Sequence, residues 1–154
     1  MGSLNFGKDT AEDKYASFLV DYKEYNSDDL STDKAQRVAI SGWHLVDWIF
    51  KNHQSFHNFT KLEDFRNSLY PNCESLKIMH DLATATKHFI VSRQKGYIND
   101  TRKHSGTFSK EFSDEFDTSR LEIVKNDGTK LSFKREIKKV KEFWNNYFFE
   151  LGTR

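Results

Sequence analysis

The sequence predicts a mainly helical protein: a bundle of four or five helices with one β-hairpin inserted before the C-terminal helix. Apolar side chains recur at helical spacing in several separate segments. Asn126-Asp127-Gly128 lies between two short stretches of alternating apolar and polar residues, which is a strong marker of a hairpin turn. Phe, Tyr and Trp make up 15% of the 154 residues, which suits a core filled by a few large rings.

The first two helices are predicted from their caps and apolar stripes. The first begins at Thr10, where Asp13 completes a variant of the capping box, and it ends near Asn26. The second begins around residues 31–33 and runs to about Lys51. Its inner stripe points within about 60° of one direction and consists of Ala35, Val38, Ala39, Gly42, Leu45, Val46 and Ile49. The opposite side is also partly apolar, so this helix is either packed on both sides or carries a site.

The later helices follow from similar signals. Residues 52–58 are predicted to be a loop. Thr60 and Glu63 predict a capping box for a short third helix, which Pro71 ends. A fourth helix is predicted from Asn72 to about Ser92, and its wide apolar arc indicates that it is central. The last helix is predicted from Arg135 to Leu151.

Residues 94–134 are predicted to leave the bundle as a loop followed by the hairpin. The loop covers residues 94–107, which are polar and rich in turn residues. The two strands are predicted around Leu121 and Ile123, and around Leu131 and Phe133. An isolated hairpin is marginally stable in water, so this one must lean on the bundle or pair with something else. Residues 1–154 are expected to be one domain, with 1–9 disordered.

Composition limits the class of protein. The formal net charge of +1 indicates neither a nucleic acid nor a membrane as partner. No segment approaches the roughly 18 apolar residues of a membrane span, and the first residues lack the apolar stretch of a secretion signal. Cys73 is the one cysteine, so there is no internal disulfide and no cysteine-rich zinc site. We therefore expect a cytoplasmic protein without a membrane partner. Its Lys-, Asn- and Phe-rich usage indicates a bacterial or phage source.

Two helical segments carry the side chains that could perform chemistry. His44 and Asp47 are neighbours on the second helix, and this pair can be an oriented general base, part of a metal site or a structural hydrogen bond. His80, Thr84 and His88 follow one another at four-residue intervals on the fourth helix. If the two helices pack face to face, these side chains could converge, as they do in bundles that hold metals. A metal site of His44, His80 and His88 is therefore one alternative. No glycine-rich phosphate loop is present, and no cofactor is predicted.

Two segments are basic although the whole chain is nearly neutral. Residues 87–110 contain Asp100 as their one acidic residue, and residues 130–141 contain Glu136. If both segments lie on one side, they would form a face suited to phosphate backbones. The alternative is an ordinary solvated surface, partly neutralised by the acidic residues of 111–117. The candidate nucleic-acid-binding residues are Arg93, Lys95, Arg102, Lys103, Lys134, Arg135 and Lys138.

Two segments also carry a resemblance to known proteins. They are Trp43-His44-Leu45-Val46-Asp47-Trp48 and Asp81-Leu82-Ala83-Thr84-Ala85-Thr86-Lys87-His88-Phe89. In a helical bundle they look like small uncharacterised bacterial proteins whose cores resemble the HEPN superfamily. The resemblance covers about residues 30–93. Active members of that superfamily carry Arg, four to six residues and then His. Arg37 and His44 have this spacing, with Val38 where a polar residue is usual.

The resemblance implies a function on RNA, because many HEPN proteins are RNases or RNA-binding partners in toxin, defence and stress systems. Cleavage would need no metal: His44 would assist the attack of a ribose 2′-hydroxyl on its phosphate, and cations would stabilise the charge. The implied catalytic residues are Arg37, His44, Asp47, Lys87 and His88. The alternative is a non-catalytic module that binds a protein partner, or a second copy, through the hairpin edge or residues 108–116.

Overall fold

The computed structural model describes residues 2–87, 96–107 and 117–153. These ranges are mainly helical and contain one small sheet before the last helix, as the sequence predicts. None of the helices in these ranges is long and apolar enough to cross a membrane. The elements follow in the order α1 (Ala11–Ser27), α2 (Thr32–Asn52), α3 (Gln54–His57), α4 (Leu62–Leu69), α5 (Ser75–Ala85), β1 (Ile98–His104), β2 (Arg120–Lys125), β3 (Lys130–Ser132) and α6 (Phe133–Gly152).

The predicted starts of α1 and α2 are confirmed by their capping hydrogen bonds. The Thr10 hydroxyl accepts from the Asp13 N–H, and the Asp13 carboxylate accepts from the Thr10 N–H. Ser31 caps α2 by accepting from the Lys34 N–H. The predicted inner stripe of α2 is buried along its whole length, from Ala35 to Ile49.

Gly42 of α2 lies where α1, α2 and α6 meet in the core. The indole N–H of fully buried Trp144 donates a 2.9 Å hydrogen bond to the Gly42 carbonyl. A Cβ at Gly42 would lie 3.0 Å from the ring of Phe18 and 3.5 Å from Val140. The missing side chain is therefore what lets these residues approach α2 so closely.

Several helix boundaries differ from the prediction. The predicted loop at residues 52–58 contains the short helix α3. The predicted Thr60–Glu63 box is wrong, because Lys61 holds the cap position of α4 and makes no side-chain hydrogen bond. The fourth helix begins at Ser75 rather than Asn72, since a turn returns the N–H groups of residues 72 and 73 to the Leu69 carbonyl.

The end of the fourth helix also differs. α5 ends at Ala85, and residues 86 and 87, which were predicted to be helical, form a turn; residues 88–92 of the predicted helix lie outside the described residues. The Thr84 hydroxyl donates to the His80 carbonyl and the Thr86 hydroxyl to the Ala83 carbonyl, at 2.8 and 2.7 Å. Such side-chain bonds compete with the backbone ladder near a helix end.

The sheet has three antiparallel strands in the order β1-β2-β3. The predicted hairpin is confirmed: β2 pairs with β3, and Gly128 in the turn has a φ of 87°. Phe133, predicted as strand, is the first residue of α6. The predicted loop at residues 94–107 is wrong over β1, whose polar side chains are mostly exposed and lack the alternation that predicts a strand. Its conformation comes from pairing with β2.

The sheet is attached to the bundle at both of its sides. The Asp81 carboxylate of α5 accepts hydrogen bonds from the N–H groups of Tyr97 and Ile98, where β1 begins. Leu121 and Ile123 of β2 are buried in the common core. The hairpin therefore leans on the bundle, one of the two arrangements that the sequence left open.

Candidate functional site

Side chains from three helices meet on one side of α2. Nη2 of Arg66 in α4 lies 3.0 Å from Oδ1 of Asp47 in α2. The same guanidinium lies over the ring of Trp43, 5.2 Å from its centroid. The imidazole of His80 in α5 stacks on Trp43 at 4.1 Å and 12°. Trp43 is buried and thus links α4 and α5 to α2 beneath the polar groups.

His44 lies on the same side of α2, one turn before Asp47, and is exposed. Partial desolvation lowers the pKa of its imidazole, the Asp47 carboxylate opposes that shift, and the charges of Lys87 and Lys14 lower it further. The ring is therefore neutral at pH 7 and able to accept a proton. The influence of Lys87 also means that this exposed residue, which follows α5, lies near His44.

His80 is the second histidine of this group. Burial and the charge of Arg66 lower the pKa of its imidazole, while Asp81 and Asp47 oppose the shift. Its ring is half-buried against Trp43, so it is neutral at pH 7 as well. We call the group of His44, Asp47, Arg66, His80 and Lys87 the His44 cluster.

Arg66 is the member of the His44 cluster that the sequence analysis missed. It lies on the short helix α4, and nothing in the spacing of residues indicates that this helix contacts α2 beside Asp47. Its Nε is buried without a hydrogen-bond partner in the described ranges, while one Nη binds Asp47. An arginine near an acidic residue is too common in sequences to have identified it.

The other predicted catalytic residues have different positions. Arg37 is exposed and pairs with Glu24 of α1, Nη1 to Oε2, at 3.3 Å. It precedes His44 by seven residues, which is about 10 Å along a helix axis. His88 lies outside the described residues. The structure thus brings together His44, Asp47 and Lys87 of the predicted set, whereas the contact of Arg37 is with α1.

Two of the predicted nucleic-acid-binding residues, Arg102 and Lys134, form ion pairs with acidic side chains. Arg102 donates from Nε and Nη2 to Oε1 of Glu122 at 2.9 and 2.7 Å, and Lys134 pairs with Asp29 at 2.9 Å. Lys103, Lys138 and Arg135 are exposed, and Arg135 also has an interaction partner. Arg93 and Lys95 lie outside the described residues.

Arg102 belongs to a second charged group, on the sheet face opposite Leu121 and Ile123. In the strand register Arg102 faces Glu122, and His104 faces Arg120. The Glu122 side chain is 1% exposed and also contacts Arg120 at 3.2 Å. Burial raises the pKa of Glu122, but the hydrogen bond and charge of Arg102 outweigh it, and the pKa is lowered overall. The group is thus an ion-pair network that fixes β1 to β2.

Two of the alternative predictions concern metals and protein partners. Within residues 2–87, 96–107 and 117–153, no group of three or more His, Cys, Asp and Glu side chains is arranged to hold a metal ion. His88, the third proposed ligand, is not among those residues, and neither is the aromatic segment 108–116. β3, at one edge of the described sheet, is only three residues long, which limits pairing with a partner strand.

No protein-family model matches this chain, and neither a curated protein nor a solved structure matches it.

Proposed function

We propose that this chain binds single-stranded RNA at the His44 cluster and cleaves it without a metal. The proposal follows the resemblance to HEPN proteins and includes the bacterial accessory or defence role, in the cytoplasm, that the sequence suggests. The observation that supports it best is the series of contacts from Asp47 through Arg66 and Trp43 to His80, beside the exposed imidazole of His44.

The charges around His44 suit a phosphate. Lys14 and Lys87 lie near the exposed imidazole, Asp47 is the carboxylate that offsets them, and Arg66 binds that carboxylate. Arg66 is fixed by its hydrogen bond to Asp47 and by the ring of Trp43. A guanidinium has five N–H donors, so one held in this way keeps donors for a phosphate oxygen. In the proposed site Arg66 replaces Arg37 as the arginine nearest the reaction.

The proposed reaction uses His44 as the general base. Its neutral imidazole takes the proton of a ribose 2′-hydroxyl, and the oxygen attacks the adjacent phosphorus. The bond from phosphorus to the 5′-oxygen breaks, and that oxygen takes a proton from water. The hydroxide that remains takes the proton from the His44 imidazolium, which returns His44 to its neutral form. The products are a 2′,3′-cyclic phosphate and a free 5′-hydroxyl. Arg66 and Lys87 offset the negative charge that builds up on the phosphate oxygens.

The test uses a labelled single-stranded RNA with purified protein in EDTA. We expect cleavage that falls by about a hundredfold or more in His44→Ala, since general bases contribute roughly 10²–10⁴. Arg66→Ala should weaken binding. His53→Ala is the matched control, because His53 pairs with Glu12 away from the cluster. The DNA of the same sequence should bind without being cut, since it lacks the 2′-hydroxyl.

Three outcomes would count against the proposal. Failure to bind RNA even at low salt, where phosphate contacts are strongest, would remove it entirely. Binding without cleavage in EDTA would remove the catalytic part and leave an RNA-binding protein. Cleavage that His44→Ala and His53→Ala reduce equally would show that His44 is not the base.

A further inference from the structure

A groove of about 180 Å³ lies between the sheet and the first turns of α2. No member of the His44 cluster lines it. It is smaller than the roughly 300–1,000 Å³ of sites for drug-sized ligands, so its volume suits a single ring system. Its floor is apolar and consists of Ala35, Leu82, Leu121, Ile123 and Phe133.

The rim of the groove combines a cation with hydrogen-bonding groups. Lys103 is exposed at the rim, and in the strand register it pairs with Leu121 of the floor, so the two side chains share one face of the sheet. The Gln36 amide can both donate and accept, as can the hydroxyls of Thr32 and Thr101. An apolar floor, an amide at the edge and an exposed ammonium together match a base, its polar edge and its phosphate.

The groove and the His44 cluster share two helices, α2 and α5. Gln36 precedes His44 by eight residues on α2, which is about 12 Å along the axis. Leu82 of α5 precedes Lys87 by five residues. We infer that the groove is a base-binding subsite, which takes one unstacked base of the RNA strand whose backbone lies on the His44 cluster. The inference rests on the proposed function and adds a second position at which the RNA strand is bound.

The test is an NMR titration of the ¹⁵N-labelled chain with adenosine and uridine 5′-monophosphates. We expect amide shifts at the residues that line the groove. Ribose 5-phosphate, which carries the phosphate without a base, should not produce them. Ala35→Leu fills the floor and should weaken nucleotide binding about tenfold, the scale of one stacked base. Ala85→Leu, at an exposed position of α5 outside the groove, is the matched control.

A second variant keeps the test valid if Ala35→Leu does not fold. Gln36 is exposed, so Gln36→Ala keeps the packing and removes only the amide that reads the base edge. It should weaken nucleotide binding several-fold and reduce any difference in affinity between the adenosine and uridine monophosphates. Equal shifts with ribose 5-phosphate, or no shifts at the groove with either nucleotide, would overturn the inference.

The failure of this inference is distinguishable from the failure of the proposed function. If RNA binding depends on Arg66 but is the same in Ala35→Leu and Ala85→Leu, the groove is not a base subsite and the proposed function stands. If the nucleotides change the amide shifts of the groove residues while substitution of Arg66 or His44 leaves RNA binding unchanged, the groove binds nucleotides and the proposed function fails.

Discussion

Arg66 and Asp47 face each other across 3.0 Å, and the Asp47 carboxylate lies near the exposed imidazole of His44. Their side chains are 26% and 39% exposed, so this ion pair contributes about 1 kcal/mol or less to stability. Its greater effect is electrostatic, because Asp47 raises the pKa of His44 against the desolvation that lowers it. The pair also orients the guanidinium over the ring of Trp43.

Asp47→Asn tests this electrostatic coupling. Loss of the carboxylate should lower the pKa of His44 further, since Asp47 favours the protonated ring. RNA should bind more tightly, because the surface loses one negative charge. An NMR titration of the His44 ring and an RNA-binding assay measure the two effects. Glu24→Gln, which breaks the exposed Arg37 pair, is the control and should change neither. An unchanged pKa in Asp47→Asn would contradict the coupling.

The two lowered histidine pKa values predict how stability depends on pH. The pKa values of His44 and His80 in the folded protein are below the ordinary value of 6.5. At these two positions the unfolded chain therefore binds protons more readily than the folded one. The contribution of the two neutral imidazoles to the free energy of unfolding is therefore complete above about pH 6.5 and is lost as the pH falls below that value. His80→Phe keeps a ring on Trp43 but cannot titrate. Its free energy of unfolding in urea should therefore fall less than that of the wild type between pH 7 and 5. Identical pH dependence would contradict the assignment for His80.

Most of the fold could be predicted because its signals are local. The Thr10 capping box, the α2 stripe and the turn at Gly128 each depend on neighbouring residues, and the structure has all three. β1 could not be predicted, since its side chains are polar on both faces and its strand conformation depends on pairing with β2. Thr60 carried a local capping signal that the structure does not use.

The candidate site was only partly visible in the sequence. His44 and Asp47 are neighbours on one helix, and Lys87 lies in a segment singled out by its composition. Arg66 was not visible, because its position beside Asp47 depends on how α4 packs on α2. The pairing of Arg102 with Glu122 depends equally on the register of two strands that are distant in sequence. Contacts of this kind join residues that are distant in the sequence, so no local pattern of residues predicts them.

The Glu122 network predicts that two adjacent cations have different effects on stability. Arg102→Ala leaves the buried Glu122 carboxylate with fewer donors and should cost about 1–2 kcal/mol, less than for a fully buried pair because Arg102 is 43% exposed. Lys103→Ala, at the next position of β1, should cost less than about 0.5 kcal/mol, as exposed positions usually do. Urea denaturation at pH 7 measures both. Equal costs would mean that the network contributes nothing to stability.

Gly42→Ala tests the packing of α1, α2 and α6. In an open helix this change would stabilise the protein by about 1 kcal/mol, because alanine is the better helix former. Here the new Cβ would lie 3.0 Å from the Phe18 ring, which is fully buried and would have to shift by a few tenths of an ångström. Overpacking costs roughly 1–3 kcal/mol, so we expect a net loss of about 1 kcal/mol. Gly152→Ala in α6, where a Cβ meets nothing, is the control and should not destabilise the protein. If Gly42→Ala raises the melting temperature, Phe18 has moved aside and the three helices pack less tightly at this point than their contacts indicate.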